Sequence, residues 1–427
     1  MTENRLDVGF VPVECPGSTR TGATHTSSLL IEHLSRRHDL TVYVSSQRQA
    51  DPSALPAKNR VDYVLHDDLA WLPHPIPEKQ DALASDSQAM EEHDLIHSYS
   101  SAFIPVLADL DVPTLVTLNS YLALCPKADL RYHGRKNCTG PRPVKCATCV
   151  PATGINRRQG LTEELKSGYF SMGRFPLVWR SMARANDIDG YQALSPHVRE
   201  DYARHGFDPD RISVIPHFYD EQFLAPGPKE PGAPVSLLYV GALQDIKGVN
   251  VLIDALPSLI DRGISFELRI VGSGAQGDRL RRQAVNLGVN DRIEWMGRVE
   301  YESLPPLYRD ADLFIYPGLL NEPFGRVMLE AMASRIPIVC SDIGSMDHIV
   351  GPAGELFDSG NASDLASAVE RVLDNYGEYR GFIDEQLEQY RPDQVIDQFD
   401  DLYWRIASKE PNGNNRLATD GPVGYAK

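Results

Sequence analysis

Residues 311–333 constrain the fold of this chain more tightly than any other stretch. Ala311-Asp312-Leu313-Phe314-Ile315-Tyr316-Pro317 is a short apolar run that reads as a buried strand. Asn321-Glu322-Pro323-Phe324-Gly325 reads as a loop, and the Ala/Met/Leu-rich run from Arg326 to Ala333 as a helix. Strand, loop and helix in that order are the repeating part of an α/β sheet, whose ligands gather outside the carboxyl ends of the strands. The turn puts Glu322 in that loop and Glu330 on the helix, eight residues later. Backbone N–H groups at the helix start, from Phe324 through Gly325 to Arg326, suit a phosphate. The carboxylates on either side can accept hydrogen bonds from vicinal hydroxyls. One pocket could thus hold diphosphate, ribose and sugar together.

The stretch resembles the E-x7-E signature of retaining glycosyltransferases of family 4, here in the form E-P-F-G-R-V-x-x-E-A-M-A. The resemblance implies the GT-B architecture, two Rossmann-like α/β domains facing across a cleft. The second domain would bind a nucleoside diphosphate sugar and the first a hydroxyl acceptor. It implies that Glu322 orients the transferred hexose-type sugar and that Glu330 holds the ribose hydroxyls. No D-x-D-type carboxylate cluster with a catalytic divalent metal is required. An isolated Glu pair would otherwise read as a helix cap and a solvated outer face.

The rest of the chain fits this layout. Leu6 to Val13 is an apolar strand, Gly17 to Gly22 a turn, Ser27 to Arg37 an amphipathic helix and Thr41 to Val44 a second strand. Residues 94–97 and 114–118 read as further strands, and regular alternation resumes from Val235 to about Asn375. Pro, Gly and Lys cluster between Ile215 and Pro234, which marks the linker. The expected division is an acceptor domain over 1–220 with a Cys-rich insertion at about 121–155, and a donor domain over 221–390. A helix over 391–410 that crosses back to the first domain follows by resemblance, then a disordered tail over 411–427.

In the second domain, Leu237 to Gly241 reads as a strand ending in Gly, followed by Ala242-Leu243-Gln244-Asp245-Ile246-Lys247-Gly248. This is similar to the family motif V-G-R-L-x-x-x-K-G, whose Arg and Lys neutralise the donor diphosphate. Gly241 and Lys247 match it, and Ala242 stands in the place of the Arg. The run Gly272-Ser273-Gly274-Ala275-Gln276-Gly277 formally matches G-x-G-x-x-G, with Glu294 as a possible ribose acid. Its position beside the two-carboxylate signature favours an ordinary family turn over a dinucleotide site. Ser345 replaces the second Gly of a family Gly-Gly turn at Gly344.

In the first domain, Thr117-Leu118-Asn119-Ser120-Tyr121 is similar to a T-L-H-D-Y segment, with Asn119 in the place of a His assigned to the reaction centre. Asn119 can hydrogen-bond a hydroxyl but cannot accept a proton as a base. His97, at the end of a strand, is the alternative catalytic candidate, against the structural role common for a lone His. Arg20, in the loop after the first strand, is placed to meet an acceptor phosphate or to sit in a plain turn. Cys125, Cys138, Cys146 and Cys149 follow C-x12-C-x7-C-x2-C in a Pro/Gly/Lys/Arg-rich segment. Such spacing predicts a structural metal centre, zinc first and an iron–sulfur cluster second, that pins the loop lining the acceptor cleft. A subset of family 4 carries a similar insertion. Cys15 and Cys340 read as small buried hydrophobes.

No apolar run in the 427 residues approaches a membrane span, and MTENRLDVGF lacks the pattern of a signal peptide, so a cytoplasmic location is expected. The segment Tyr169 to Met182 interleaves large apolar residues with Arg174 and Arg180. It fits a buried helix, or a peripheral contact with the inner face of a membrane. The formal net charge of −17 argues against nucleic acid as a partner, and the acidic, Lys-poor balance suits a high-salt cytoplasm. A glycan or lipid-linked acceptor is expected in that setting. Two rival readings share the same motifs: a GT-B sugar-nucleotide epimerase, and a catalytically silent binding protein of a glycan pathway.

Overall fold

The computed structural model describes residues 5–17, 22–45, 52–66, 75–133, 136–155, 174–227 and 229–409. The strands in chain order are β1 (Asp7–Val11), β2 (Asp39–Val44), β3 (Val61–Leu65), β4 (Leu95–Ser98), β5 (Thr114–Leu118), β6 (Arg131–Tyr132), β7 (Lys136–Asn137), β8 (Gly190–Ala193) and β9 (Ile212–Val214). After the linker come β10 (Val235–Val240), β11 (Phe266–Val271), β12 (Ile293–Gly297), β13 (Leu313–Tyr316), β14 (Ile338–Ser341) and β15 (Gly354–Phe357). Two sheets form, in the orders β3-β2-β1-β4-β5-β8-β9 and β12-β11-β10-β13-β14-β15, and every pairing within them is parallel. The β6–β7 ribbon is antiparallel and stands apart from both.

Parallel sheets need both faces covered, and the strand sequences show it. The runs TLVTL, LFIY and IVCS are buried at every position. Two apolar clusters flank each sheet. In the first domain one cluster is built around Val116, Leu118 and Tyr191, the other around Val8, Phe10 and Leu115. In the second, Phe314 and Ile338 face one side and Leu313 and Val339 the other.

The helix Pro392–Ala407 places Val395, Ile396, Phe399, Leu402, Tyr403 and Ile406 on one stripe, the spacing of a single buried helix face. That stripe packs on the first sheet rather than the second, in the cluster with Val8 and Leu115. Arg37 pairs with Asp397 at 2.5 Å along the same seam. The strand order reverses between β1 and β4 in one sheet and between β10 and β13 in the other. Loops leaving those strands splay apart at each reversal, and the crevices face one another.

Candidate active site

The second-domain side is made of loops in backbone contact. Gly248 has φ +67°, and a Cβ there would lie 1.7 Å from the Pro317 carbonyl oxygen. Only glycine lets the loop after β10 lie against the loop after β13. Gly272 has φ +142°, and its Cβ would fall 1.9 Å from the Gly241 carbonyl oxygen. Leu243 N–H donates to Ser273 O at 3.0 Å, and Gln276 N–H to Leu243 O at 3.0 Å. The glycines of Gly272 to Gly277 thus serve to dock one loop on its neighbour. Glu294, the acid a dinucleotide site would need, is 62% exposed and pairs with Arg269 at 3.3 Å.

Those loops bring the charged residues together. Lys247 Nζ forms a short ion pair with Glu322 Oε1 and lies 3.4 Å from the Tyr316 hydroxyl. Both partners are about one-quarter exposed, so they border solvent without being held in it. The helix Arg326–Ala333 begins with Gly325 as its N-cap, and Phe324 packs edge-on against His217 at 4.8 Å. Glu330 is buried and accepts a hydrogen bond from the Tyr308 hydroxyl at 2.7 Å. The Arg326 guanidinium stands 4.0 Å from Glu330 and donates to the Tyr301 hydroxyl at 2.9 Å. Burial works against that cation, but Tyr301, Glu330, Tyr99 and Asp220 outweigh it and leave the guanidinium's pKa above its ordinary value.

Two cavities open on this arrangement. One of about 280 Å³ is lined by Lys247, Glu322, Phe324 and Gly325 from the second domain and by Tyr99 and Asn119 from the first. The other, about 670 Å³, is lined by Glu330, Tyr301 and Gly272 on one side and His25 and Ser28 on the other. Gly241, Ala242, Arg326 and Val327 line both, so the cavities meet there. A ligand running from Glu322 to Glu330 would cross that junction.

On the first-domain side, Asn119 faces the same cavity as Glu322, its amide donating to Tyr99 O at 2.9 Å. His97 does not reach the cleft, which corrects its candidacy as a catalytic base. It is fully buried in β4, with Nδ1 at 2.6 Å from the Tyr403 hydroxyl and Nε2 at 2.8 Å from Thr117 Oγ1. Burial pushes its pKa down to about 3, the state of a neutral histidine tying the last helix to the sheet. His25, among the cleft residues, carried no signal in the sequence. It bonds Asp220 at 3.0 Å and packs at a tilt against Tyr301, with 3.9 Å between ring centroids. The Ser195 and Ser345 hydroxyls meet at 2.6 Å across the domains, one donating to the other, and both lie within reach of Pro323 O, at 3.3 and 3.1 Å. Ser345, a departure from a Gly-Gly turn, is thus used as a fastening point.

The expected four-cysteine metal site is not assembled. Among the described residues, no three His, Cys, Asp or Glu side chains are grouped so as to hold a metal ion. Cys125 Sγ lies 3.7 Å from Asp129 Oδ1, and burial and Asp129 push its thiol up to about 11. Cys138 Sγ contacts Gly140 O at 3.5 Å, while Cys149 Sγ contacts Arg131 O at 3.7 Å and accepts from His133 N–H at 3.1 Å. The Cys146 thiol is pushed up by burial and by the nearby Cys138 and Cys149, while Cys125 has Asp129 beside it. Arg20, residues 411–427 and residues 169–173 of the Tyr169–Met182 segment lie outside the described residues. The part of that segment that is described, the helix Phe175–Ala183, buries Leu177, Val178 and Ser181. No helix of the described residues is long and apolar enough to cross a membrane.

Comparison with known proteins points the same way. Residues 21–223 match the family model Glycosyltransferase Family 4, and residues 220–389 match Glycosyl transferases group 1. The D-inositol 3-phosphate glycosyltransferase of Corynebacterium glutamicum is 32% identical over 211 residues, 44% of this chain and 50% of that protein. The phosphatidyl-myo-inositol mannosyltransferase of Mycobacterium leprae is 32% identical over 167 residues, 38% of this chain and 44% of that one. The chain thus spans about half the length of the curated relatives it matches. Among solved structures, HepE of Anabaena in complex with UDP superposes with a TM-score of 0.67 at 16% identity, covering 94% of this chain and 100% of that one. At such identity the likeness is one of fold: the two parallel-sheet domains are those of GT-B glycosyltransferases.

Proposed function

We propose that this chain, glycosyltransferase family 4-like in both halves, transfers a hexose-type sugar from a nucleoside diphosphate sugar to a hydroxyl acceptor with retention of configuration. The observation that carries the reading is the paired cavity with Glu322 at one end and Glu330 at the other, joined at the start of one helix. In it Glu330 binds the ribose hydroxyls and Glu322 binds and orients the sugar. Lys247, already paired with Glu322, lies where the diphosphate would depart. Breaking the bond from the sugar's anomeric carbon to phosphate builds negative charge there, and fixed donors aimed at that charge lower the barrier. Asn119 positions the acceptor hydroxyl and takes no proton. In a same-face displacement that proton goes to the departing phosphate oxygen.

The names of the two relatives, one a glycosyltransferase of an inositol phosphate and one a mannosyltransferase of a phosphatidylinositol, make a phosphorylated or lipid-borne polyol the acceptor class to test first. A lipid-linked or cell-surface glycan fits the same chemistry. Incubation of the purified chain with radiolabelled nucleotide sugars and a lipid extract tests the reading. Label should pass to the extract. Label that stays on the nucleotide as an epimer, or no turnover with any donor, would overturn it.

A further inference from the structure

Ala242 leaves the donor loop one cation short, and the structure holds another cation at the same place. The side chain of Arg326 lines both cavities together with Ala242 and Gly241. A donor with its sugar at Glu322 and its ribose at Glu330 must pass its diphosphate through that junction. Lys247 reaches only the smaller cavity, where it is paired with Glu322. Arg298 lines only the larger one. Arg326 is the Lys or Arg common to both among the described residues.

The guanidinium is also poised across the cleft. One terminal nitrogen donates to Thr26 Oγ1 at 2.9 Å and to Gly22 O at 3.4 Å, both in the first-domain helix Gly22–Leu34. The other donates to Tyr301, and the ion pair with Glu330 is stretched to 4.0 Å. Its side chain is only 10% exposed, yet its hydrogen-bond partners here are neutral oxygens and its nearest carboxylate is at the limit of pairing. A nearly buried guanidinium gains most from an anion that its planar fork can bind bidentately, and the oxygens of a diphosphate offer that.

We propose that the Arg326 side chain is the second cation of the diphosphate site, supplying from the helix start the charge that Ala242 does not. Its bond to Thr26 holds it, and the two domains, in register for the donor. This rests on the donor-site reading above.

The test is calorimetry on the full chain with UDP, GDP, ADP and dTDP, and with the matching monophosphate of whichever binds best. Arg326→Gln should weaken the diphosphate by about ten- to a hundredfold, the range of a charge-assisted hydrogen bond, and the monophosphate far less. Arg326→Lys should keep part of the difference. The double variant Arg326→Gln with Ala242→Arg should regain the diphosphate affinity, because the charge returns to the same junction from the other loop. A purely interdomain strap gives a different result: Arg326→Gln would weaken both nucleotides equally, and Ala242→Arg would not rescue it. Either outcome overturns the assignment while the donor site stands. If the unaltered chain binds none of the four diphosphates, the donor-site reading falls and this one with it.

Discussion

On the second-domain side of the cleft, Gly248 and Gly272 let the loops touch backbone to backbone; the first-domain side has such a contact at Gly17 and Ala54 but otherwise reaches in with side chains, among them Thr26, Tyr99, Asn119 and His25. The donor side therefore gets its shape from local conformation, set by where glycine stands. The acceptor side gets its shape from contacts between distant parts of the chain, such as His25 with Asp220 and Arg326 with Thr26. A backbone-built wall tolerates few sequence changes, and a side-chain wall can be re-cut by substitution. Asn119 in the place of a family His fits that division of labour.

The sharpest way to test the contrast is to remove one functional group from each side. Glu322→Gln keeps shape but removes the charge at the sugar and the partner of Lys247. Turnover should fall by about a hundredfold or more, the scale of losing one preorganised group. Asn119→Ala should cost about fivefold, chiefly in the acceptor KM, since it loses one neutral hydrogen bond. Initial rates with labelled donor compare the two. Equal losses would mean that the acceptor side is as preorganised as the donor side.

Next in size is the backbone itself. Gly248→Ala introduces a Cβ at positive φ, 1.7 Å from the Pro317 carbonyl oxygen, so the two donor loops must part. Strain and overpacking together should cost about 3 kcal/mol of stability and loosen nucleotide binding as well. Urea unfolding with and without nucleoside diphosphate measures both. A variant as stable as the parent would show that the loops are not in contact in solution.

These contrasts explain what was legible beforehand. The strand–loop–helix around Glu322 and the Lys247 loop could be read because glycine, a periodic apolar run and a charged residue fall within a few positions of one another. The destination of the last helix could not be read from its own residues: an apolar stripe says that a face is buried, not against which sheet. His97 was misread for a related reason. A histidine ending a strand can face a cleft or a neighbouring helix, and Tyr403, 306 residues away, decides which. The cysteine spacing was equally silent on side-chain direction, and Cys125 points to Asp129.

His97 also gives a pH test. Folded, His97 and His217 are held neutral by burial, with pKa values near 3, against about 6.5 in the unfolded chain. The unfolded chain therefore takes up protons that the folded one refuses as acid is added. Their contribution to stability is complete above about pH 6.5 and drains away as the pH falls toward 3. Going from pH 7 to pH 5 should cost roughly 2 kcal/mol per histidine. His97→Gln should remove about one such share of the acid sensitivity, read by urea unfolding at the two pH values. An unchanged pH dependence would place the ring in contact with solvent.

The smallest effect is expected at Cys125, and it separates two accounts of the Cys-rich segment. The thiol is buried and set against Asp129, and burial raises its pKa, so it acts as a small packing group with one weak hydrogen bond. Serine is slightly smaller and can donate to the same carboxylate. Cys125→Ser should therefore cost about 1 kcal/mol, near the centre of the range for single substitutions, and leave the donor affinity as it was. Were Cys125 one of four thiolates on zinc, the change would open a closed tetrahedral site, and metal binding there would be part of the folding energy of the segment. The cost would then be several times larger, with zinc released in step. Unfolding of the parent and variant, with elemental analysis for zinc and iron, compares the accounts directly. Metal well below one ion per chain with a small loss of stability supports the packing role, whereas one ion per chain that vanishes with Cys125→Ser would restore the metal centre.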